Sequence, residues 1–474
     1  MPEIKEATMR GIIGYGAYVP YNRLQRSAIT EALGAGGGKG TRAVASYDED
    51  ATSMAVEASR NLMRTTEVSP SSVYFATATP PYLDKTNANV IHACLNLPSH
   101  VFAGDVGGSP RSVNAALRSA LEGRRPTLVA AADVRTGRPT SSDEANLGDG
   151  AVAWMIGDDS DGPVIAEWLG GASCTAEFLD RWRLPEWNYS RVWEERFGEH
   201  AYLPLVTEAA AAAFKECELE PDDVDIVVVT GLHARAVRGA ARAAGVDAGK
   251  LADDLTASVG NTGSSHAGLV LASVLDNADP GQTVMVVHLA DGCDVGFVKT
   301  TDAISGYQPS NPVASQIENG NDGLDYNTFL TWRGFLDREP PRRPDPEGPA
   351  APPSYRSEQW KYAFFGSKDR TSGAVHLPPQ RVSVKGGAVD DMELVPMADV
   401  EATVATFTID RLAYSLSPPT IAVVIDFDGG GRFQCQLTDG DEVKIGDRVQ
   451  MTFRRMMTAQ GIHNYFWKAK PVTA

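Results

Sequence analysis

The chain contains an imperfect copy of itself. With a shift of 151 residues, Glu57 falls on Glu208, Ala58 on Ala209, Val68 on Leu219, Pro70 on Pro221 and Val73 on Val224, without a gap. At a slightly larger shift VGGSPRS, from Val106, meets VGNTGSS, from Val259, and TLVAAADVRTG meets TVMVVHLADG. A period this long is no solenoid. It predicts a duplicated α/β domain with twofold pseudosymmetry, whose two equivalent turns come together at one site.

The first of these turns, FAGDVGGSPRSVNAAL from Phe102, reads as a buried strand bending sharply into a helix. Such an elbow commonly presents a nucleophile above the amides of a helix N-terminus, where developing negative charge is favoured. Its apex here is Ser109, Pro110, Arg111, Ser112, with no cysteine. Around it the apolar pattern predicts strands from Met9, over Val73 to Ala78, Thr127 to Asp133 and Gly148 to Gly157, and helices over Asp48 to Thr66 and Asn87 to Leu97. GAGGGKG, from Gly34, is too irregular for a phosphate cradle and reads as a loop.

A chain of 474 residues calls for two or three folding units. From about Asn311 to Ser357 the composition shifts, and REPPRRPDPEGPAAPP from Arg338 predicts an extended connector. The division is then residues 1–310, in halves of about 1–165 and 166–310, a Pro-rich linker over 311–357, and a domain over 358–474. VEATVATFTI, PPTIAVVIDF, GRFQCQLT, RVQMTFRRM and YFWKAK predict five strands of a small barrel of the oligonucleotide/oligosaccharide-binding (OB) type.

A net charge of -18 argues against nucleic acid as a general partner, because phosphate binding needs a basic face. MPEIKEATMRGII lacks the pattern of a secretory signal, and there is no apolar run long enough for a membrane span. The expectation is a cytoplasmic protein. Cys94, Cys174, Cys217, Cys293 and Cys435 stand singly, with no CxxC pair, and read as small buried hydrophobes.

Several motifs together resemble the thiolase superfamily, within it the hydroxymethylglutaryl-CoA synthase and ketoacyl synthase III branch. VASYDEDATSMAVEA (from Val44) looks like the family's opening helix, and GDGAVAWMIG like its Gly-Asp-Gly-Ala strand. DRWRLP (from Asp180) is similar to the synthases' aspartate-aromatic-arginine-proline segment. GLHARAV falls where the catalytic histidine stands, and GNTGSS resembles the asparagine turn. The C-terminal part, in HLPPQRV, PPTIAVVIDFDGGGR and IGDRVQMTFRR, resembles an acyl-CoA-associated zinc ribbon followed by an OB fold. The resemblance implies a duplicated five-layer thiolase fold followed by a small β-barrel, a coenzyme A thioester as substrate and a homodimer.

Two departures bear on function. The family's nucleophilic cysteine would fall at Pro110, which has neither a nucleophile nor an amide proton, and the synthases' acid/base glutamate is replaced near Ala78. The ribbon cysteines would fall at Asp369, Ser372, Ser383 and Gly386, so no metal is expected there.

What the resemblance leaves is enolate stabilisation, with His233 and Asn261 as hydrogen-bond donors to a thioester oxygen. That implies aldol or retro-aldol chemistry on a β-hydroxyacyl-CoA without a cysteine. The alternatives are a catalytically silent acyl-CoA-binding scaffold, or an acyltransferase or synthase-like condensing enzyme using Ser109, which would need an adjacent base. Further candidates are His266, Tyr82 with Asp84, and Arg111, read either as a carboxylate or phosphate contact or as half of an internal ion pair. Asp149 reads as structural. The Trp-rich stretch from Asp180 to Phe197 either caps the substrate entrance or forms an amphipathic helix on the core.

Overall fold

The computed structural model describes residues 8–342, 344 and 346–472. Contacts divide the chain into two units: a larger one running to Ala45 and then through Glu57–Asn89 and Ser99–Tyr326, and a smaller one of Ser46–Val56, Val90–Pro98 and the chain from Asn327 onward.

In the larger unit nine strands share one mixed sheet: β1 (Arg10–Tyr18), β2 (Ser72–Thr77), β3 (Phe102–Gly107), β4 (Thr127–Asp133), β5 (Gly150–Asp158), β6 (Ala166–Thr175), β7 (Ile226–Gly231), β8 (Thr283–Leu289) and β9 (Gly292–Thr300). Their order is β7-β8-β9-β6-β1-β5-β4-β2-β3. The repeat is visible in the pairing. β2 runs parallel to β4, β4 antiparallel to β5 and β5 antiparallel to β1. In the same sense β7 runs parallel to β8, β8 antiparallel to β9 and β9 antiparallel to β6. The two leading strands join the halves through Gly11↔Glu167 and Ile12↔Ala166. The counterpart of β3 is reduced to a single bridge, Val227↔Leu251.

This unit holds the part of α1 (Ala51–Met63) from Glu57 onward and the helices α2 (Ser112–Leu121), α3 (Glu195–Glu216), α4 (Ala234–Ala243) and α5 (His266–Leu275). Only a glycine fits at position 16, because a Cβ there would stand 2.3 Å from the Ala58 carbonyl oxygen of α1. Burial is continuous across β4 and nearly so across β5, as expected of strands covered on both faces.

The stretch from Asp180 is not one amphipathic helix. Arg181–Trp182 and Arg191–Val192 form a two-stranded hairpin, and helix begins only at Glu195; Pro185 disfavours helical backbone before it and supplies no amide. The segment 311–357 is likewise not extended throughout. Val313–Glu318 and Tyr326–Trp332 are helical, with Val313 and Phe329 buried. The Pro-rich part, 338–342, 344 and 346–350, lacks helix and strand among its described residues.

The smaller unit contains a three-stranded sheet, β11-β10-β12, of β10 (Phe365–Asp369), β11 (Val375–His376) and β12 (Met392–Pro396). A five-stranded sheet follows, β13 (Ala402–Asp410), β14 (Thr420–Phe427), β15 (Arg432–Gln436), β16 (Arg448–Ala459) and β17 (Ile462–Pro471), in the order β15-β14-β13-β16-β17. Its two ends meet at the bridge Leu437↔Ala469, closing a barrel. The barrel interior holds Val423, Ile425, Phe453 and Trp467, and Phe364 stacks among Phe427, Phe433 and Trp467.

The same unit buries an ionic cluster. Lys468 Nζ donates to Asp48 Oδ2 at 2.8 Å, Tyr465 Oη to Asp50 Oδ2 at 2.7 Å, and Arg454 bridges Glu49 and Asp439. Burial opposes the charge on Asp48, but Lys468 and Arg454 beside it hold its carboxyl below the usual carboxylate range. The predicted helix from Asp48 therefore starts at Ala51, and the preceding acidic residues face the barrel's cations.

Candidate active site

The two equivalent turns differ in how completely they are bonded. In the second, Asn261 lies between the halves: its amide nitrogen donates to Asn146 O at 2.8 Å, and its carbonyl accepts from Gly148 N at 2.9 Å. Two glycines allow this approach. A Cβ on Gly148 would stand 1.9 Å from Val259 O, and Gly260 has a φ of +83°. This is the structural reason for the Gly-Asp-Gly-Ala motif. Its aspartate, Asp149, accepts from Ala45 N and Arg135 N and is buried, as a structural residue should be.

The Asn261 side chain is held at both ends, Oδ1 accepting from Gly263 N and Nδ2 donating to Gly231 O, both at 2.9 Å. Gly231 ends β7, and two residues later His233 caps α4, its Nδ1 accepting from Ala236 N at 3.2 Å. A backbone N–H pointing at Nδ1 leaves the neutral ring with its proton on Nε2. His233 is thereby oriented as an Nε2–H donor. It is 5% exposed, its ring lies 6.0 Å from that of Tyr202, and a Cβ on Gly198 would stand 2.4 Å from its Nε2.

Asp133, at the end of β4, ties this turn to the first half. One carboxylate oxygen accepts from Ala78 N at 2.7 Å and Thr77 Oγ1 at 3.0 Å, and the other from Ser264 N at 2.8 Å. The Ala78 carbonyl accepts from Arg183 of the DRWRLP motif. The motif's Arg181 pairs with Asp143, and its Asp180 accepts from Tyr202 Oη at 3.4 Å.

The first turn is looser. Ser109 N donates to Ser112 Oγ at 3.3 Å and Ser112 Oγ to Gly107 O at 2.9 Å. The Ser109 hydroxyl has no hydrogen-bond partner among the described residues, so no base activates it. Arg111 is the ion-pair alternative, not an open anion contact: Nε and Nη2 donate to Asp294 at 2.8 and 3.2 Å and Nη1 to Asp291 O at 2.8 Å. Burial opposes the charge on Asp294, but Arg111 with Ser173 and Asn114 holds its carboxyl low.

Tyr82 lies in the loop after Ala78, its backbone bonded to the Asn87 side chain and Lys85 above its ring at 5.9 Å. Asp84 is exposed in the same loop. His266 opens α5 and is fully buried; burial pushes its imidazole down to about 4, and the charge it senses is that of Asp254 and His288. The structure thus joins Asn261 to His233 through Gly231, places His266 beside His288, and sets Ser109 and Arg111 on the elbow. Tyr202, Gly198 and Asp133 were not singled out from sequence, because each acts through a contact far along the chain. The one available signal was that Asp133 ends the repeated strand.

Residues 394–454 match the family described as "ChsH2, C-terminal OB-fold domain". Among solved structures the chain resembles a hydroxymethylglutaryl-CoA synthase complexed with CoA, with a TM-score of 0.59 at 17% identity over 68% of this chain and 90% of that one. It also resembles 3-oxoacyl-(acyl carrier protein) synthase III of Pseudomonas aeruginosa, with a TM-score of 0.55 at 17% identity over 62% of this chain and 98% of that one. These likenesses establish the thiolase-like fold. In sequence it is 28% identical over 336 residues to the hydroxymethylglutaryl-CoA synthase of Thermococcus sibiricus, covering 68% of this chain and 96% of that one. The hydroxymethylglutaryl-CoA synthase of Pyrococcus furiosus is 30% identical over 335 residues, 68% of this chain and 95% of that one. With nearly the whole length of these relatives matched, the chain belongs to the hydroxymethylglutaryl-CoA synthase family.

Proposed function

We propose that this protein makes or breaks a carbon-carbon bond in an acyl-CoA without a covalent acyl-enzyme, by aldol or retro-aldol chemistry on a β-hydroxyacyl-CoA. The observation that carries the reading is the pairing of an intact donor arrangement, His233 Nε2–H beside the Asn261 turn, with a proline at the elbow. In the cleavage direction the β-hydroxyl loses its proton, the Cα–Cβ bond breaks, and a ketone or aldehyde leaves. The electron pair stays on Cα as a thioester enolate, whose oxygen takes hydrogen bonds from His233 and Asn261, and Cα then regains a proton. Donors fixed in a dry site need no reorganisation as this charge appears. Because its Nδ1 is occupied, His233 serves as donor, and we assign the proton acceptor to the Tyr82–Asp84 loop. The loop's first residue, Ala78, is held by Asp133 beside the Asn261 turn.

The relatives named as synthases support thioester carbon-carbon chemistry as the general class, and the synthase complexed with CoA supports a CoA thioester as substrate. A silent acyl-CoA-binding scaffold is the second reading, favoured by Pro110 and the unactivated Ser109. Incubating the full chain with a β-hydroxyacyl-CoA and analysing products by mass spectrometry separates them. A shorter acyl-CoA plus an equimolar carbonyl compound, reduced about 100-fold or more in His233→Ala, is the expected result; tight binding without product in wild type overturns the enzyme reading.

Three coarser proposals accompany this one. The positions 369, 372, 383 and 386 form a metal-free remnant of a ribbon, in which the Ser372 and Ser383 hydroxyls hold the Asp369 carboxyl well below its usual range. The outer edge of β3 is the end of the sheet, with Phe102 59% exposed, and a second copy pairing along it would satisfy that edge. Sedimentation velocity would then give the dimer mass, and a monomer at micromolar concentration overturns the pairing. We also propose the cytoplasm as the site of action; among the described residues no helix is long and apolar enough to cross a membrane.

A further inference from the structure

A cavity of about 560 Å³ lies in the larger unit behind the elbow, between α2, α5 and strands β6, β8 and β9. That is within the ~300–1,000 Å³ typical of sites that enclose a drug-sized ligand. Its walls are largely apolar, with Leu117 of α2, Leu271 of α5, Val286 of β8 and the rings of Trp154 and Trp168. Ser109 and Arg111 of the elbow line its other end. Glycines keep it open: a Cβ on Gly296 would strike the Trp168 ring at 2.5 Å, and one on Gly268 would stand 2.9 Å from Trp154 Nε1.

One donor on its wall is uncommitted among the described residues. His288, 4% exposed, takes a hydrogen bond on Nδ1 from Asn114 Nδ2 at 2.9 Å. Asn114 Nδ2 also donates to Asp294 Oδ2 at 2.9 Å, so Asn114 is oriented as the donor and the neutral His288 ring carries its proton on Nε2. Burial keeps the ring neutral at physiological pH by pushing its pKa down to about 4. Ion-paired Arg111 and Asp294 and the Ser173 hydroxyl close the polar end, so no unpaired charge faces the apolar wall.

We propose that this cavity receives the acyl tail of the thioester: a large apolar chain bearing an acceptor oxygen, a ketone or hydroxyl, that takes a hydrogen bond from His288 Nε2. The inference rests on the acyl-CoA reading above and adds to it the substrate's size and polarity. A two-carbon acyl group would leave the His288 donor unmet. Ser109, Arg111 and Ser112 of the elbow line one end of the cavity, and α5, which begins just after the Asn261 turn, forms another of its walls.

Calorimetry on the full chain tests this with dodecanoyl-CoA, acetyl-CoA and CoA-free dodecanoic acid, and with a dodecanoic acid carrying a mid-chain ketone. The expected result is dodecanoyl-CoA binding at least 30-fold more tightly than acetyl-CoA. That ratio falls at least tenfold in Val286→Trp and, independently, in Leu117→Phe, two half-buried positions at which a larger ring fills the cavity. The keto acid should bind more tightly than the saturated acid, and His288→Phe should erase the difference. Binding of the free acid, competed by dodecanoyl-CoA, supports the tail site even in a chain that turns nothing over. Turnover of short thioesters with no chain-length preference, or a chain-length ratio unchanged in both filling variants, overturns it while leaving the enzyme reading intact.

Discussion

The two turns that the repeat makes equivalent have diverged in opposite directions. In the second half, residues 261–267 are all buried, and the turn is bonded to β5, to β7 and to Asp133. In the first half, Gly107 and Gly108 are exposed, Ser109 and Ser112 bond to each other, and Arg111 is drawn off to Asp294. One turn is held by the whole domain and the other largely by itself. A turn of the second kind can exchange its apex residue without unfolding the protein, whereas every donor in the first kind would be stranded by a change. That asymmetry explains how Pro110 can stand at the apex of the first turn while Asn261 is fixed on every side.

The largest effect should come from cutting the tie between the halves. Asp133→Ala strands the amides of Ala78 and Ser264 and leaves Arg135, 3.8 Å away, facing an unbalanced pocket. A loss of about 3–5 kcal/mol is expected, read as the shift of the urea unfolding midpoint; a loss below about 1 kcal/mol would mean the halves do not depend on this carboxylate.

An intermediate effect is expected from each unit of pH. His266 and His288 both sit near 4 in the folded chain, against about 6.5 when unfolded. Their folded values are lowered, so the unfolded state binds protons that the folded state refuses between about pH 6.5 and 4. Stability is then fully present above about 6.5 and is lost as pH falls through that window, by up to about 2.7 kcal/mol per pH unit for two protons. Unfolding titrations at pH 7, 6 and 5 should show this slope, and His266→Gln should reduce it by about one proton. A flat profile over that range refutes the assignment.

The smallest effect tests the loose turn directly. Ser109→Ala should leave product formation within about twofold and yield no difference in covalent labelling, because no base addresses the hydroxyl. A large loss would restore the elbow as a nucleophile and erase the contrast between the two turns.

Much of this architecture was legible in the chain. The repeat foretold the matching pairing of β2, β4 and β5 with β7, β8 and β9, since apolar strands and their turn residues are local features. The five barrel strands were legible for the same reason. Less was legible where short-range signals misled. Pro185 broke the Trp-rich stretch into a hairpin, and apolar residues such as Val313 and Phe329 were hidden in a segment judged by its prolines.

By itself the sequence determined the duplication and the barrel, because these depend on neighbours within a turn or a strand. Tertiary structure alone decided what the polar groups do. Arg111 is bound to an aspartate 183 positions away, Asp48 to a lysine 420 positions away, and His233 is a donor because a helix N-terminus occupies its other nitrogen. The energy of a charge or a hydrogen-bonding group is set by what surrounds it in space, through burial and the partner it meets, and spacing along the chain carries almost none of that information.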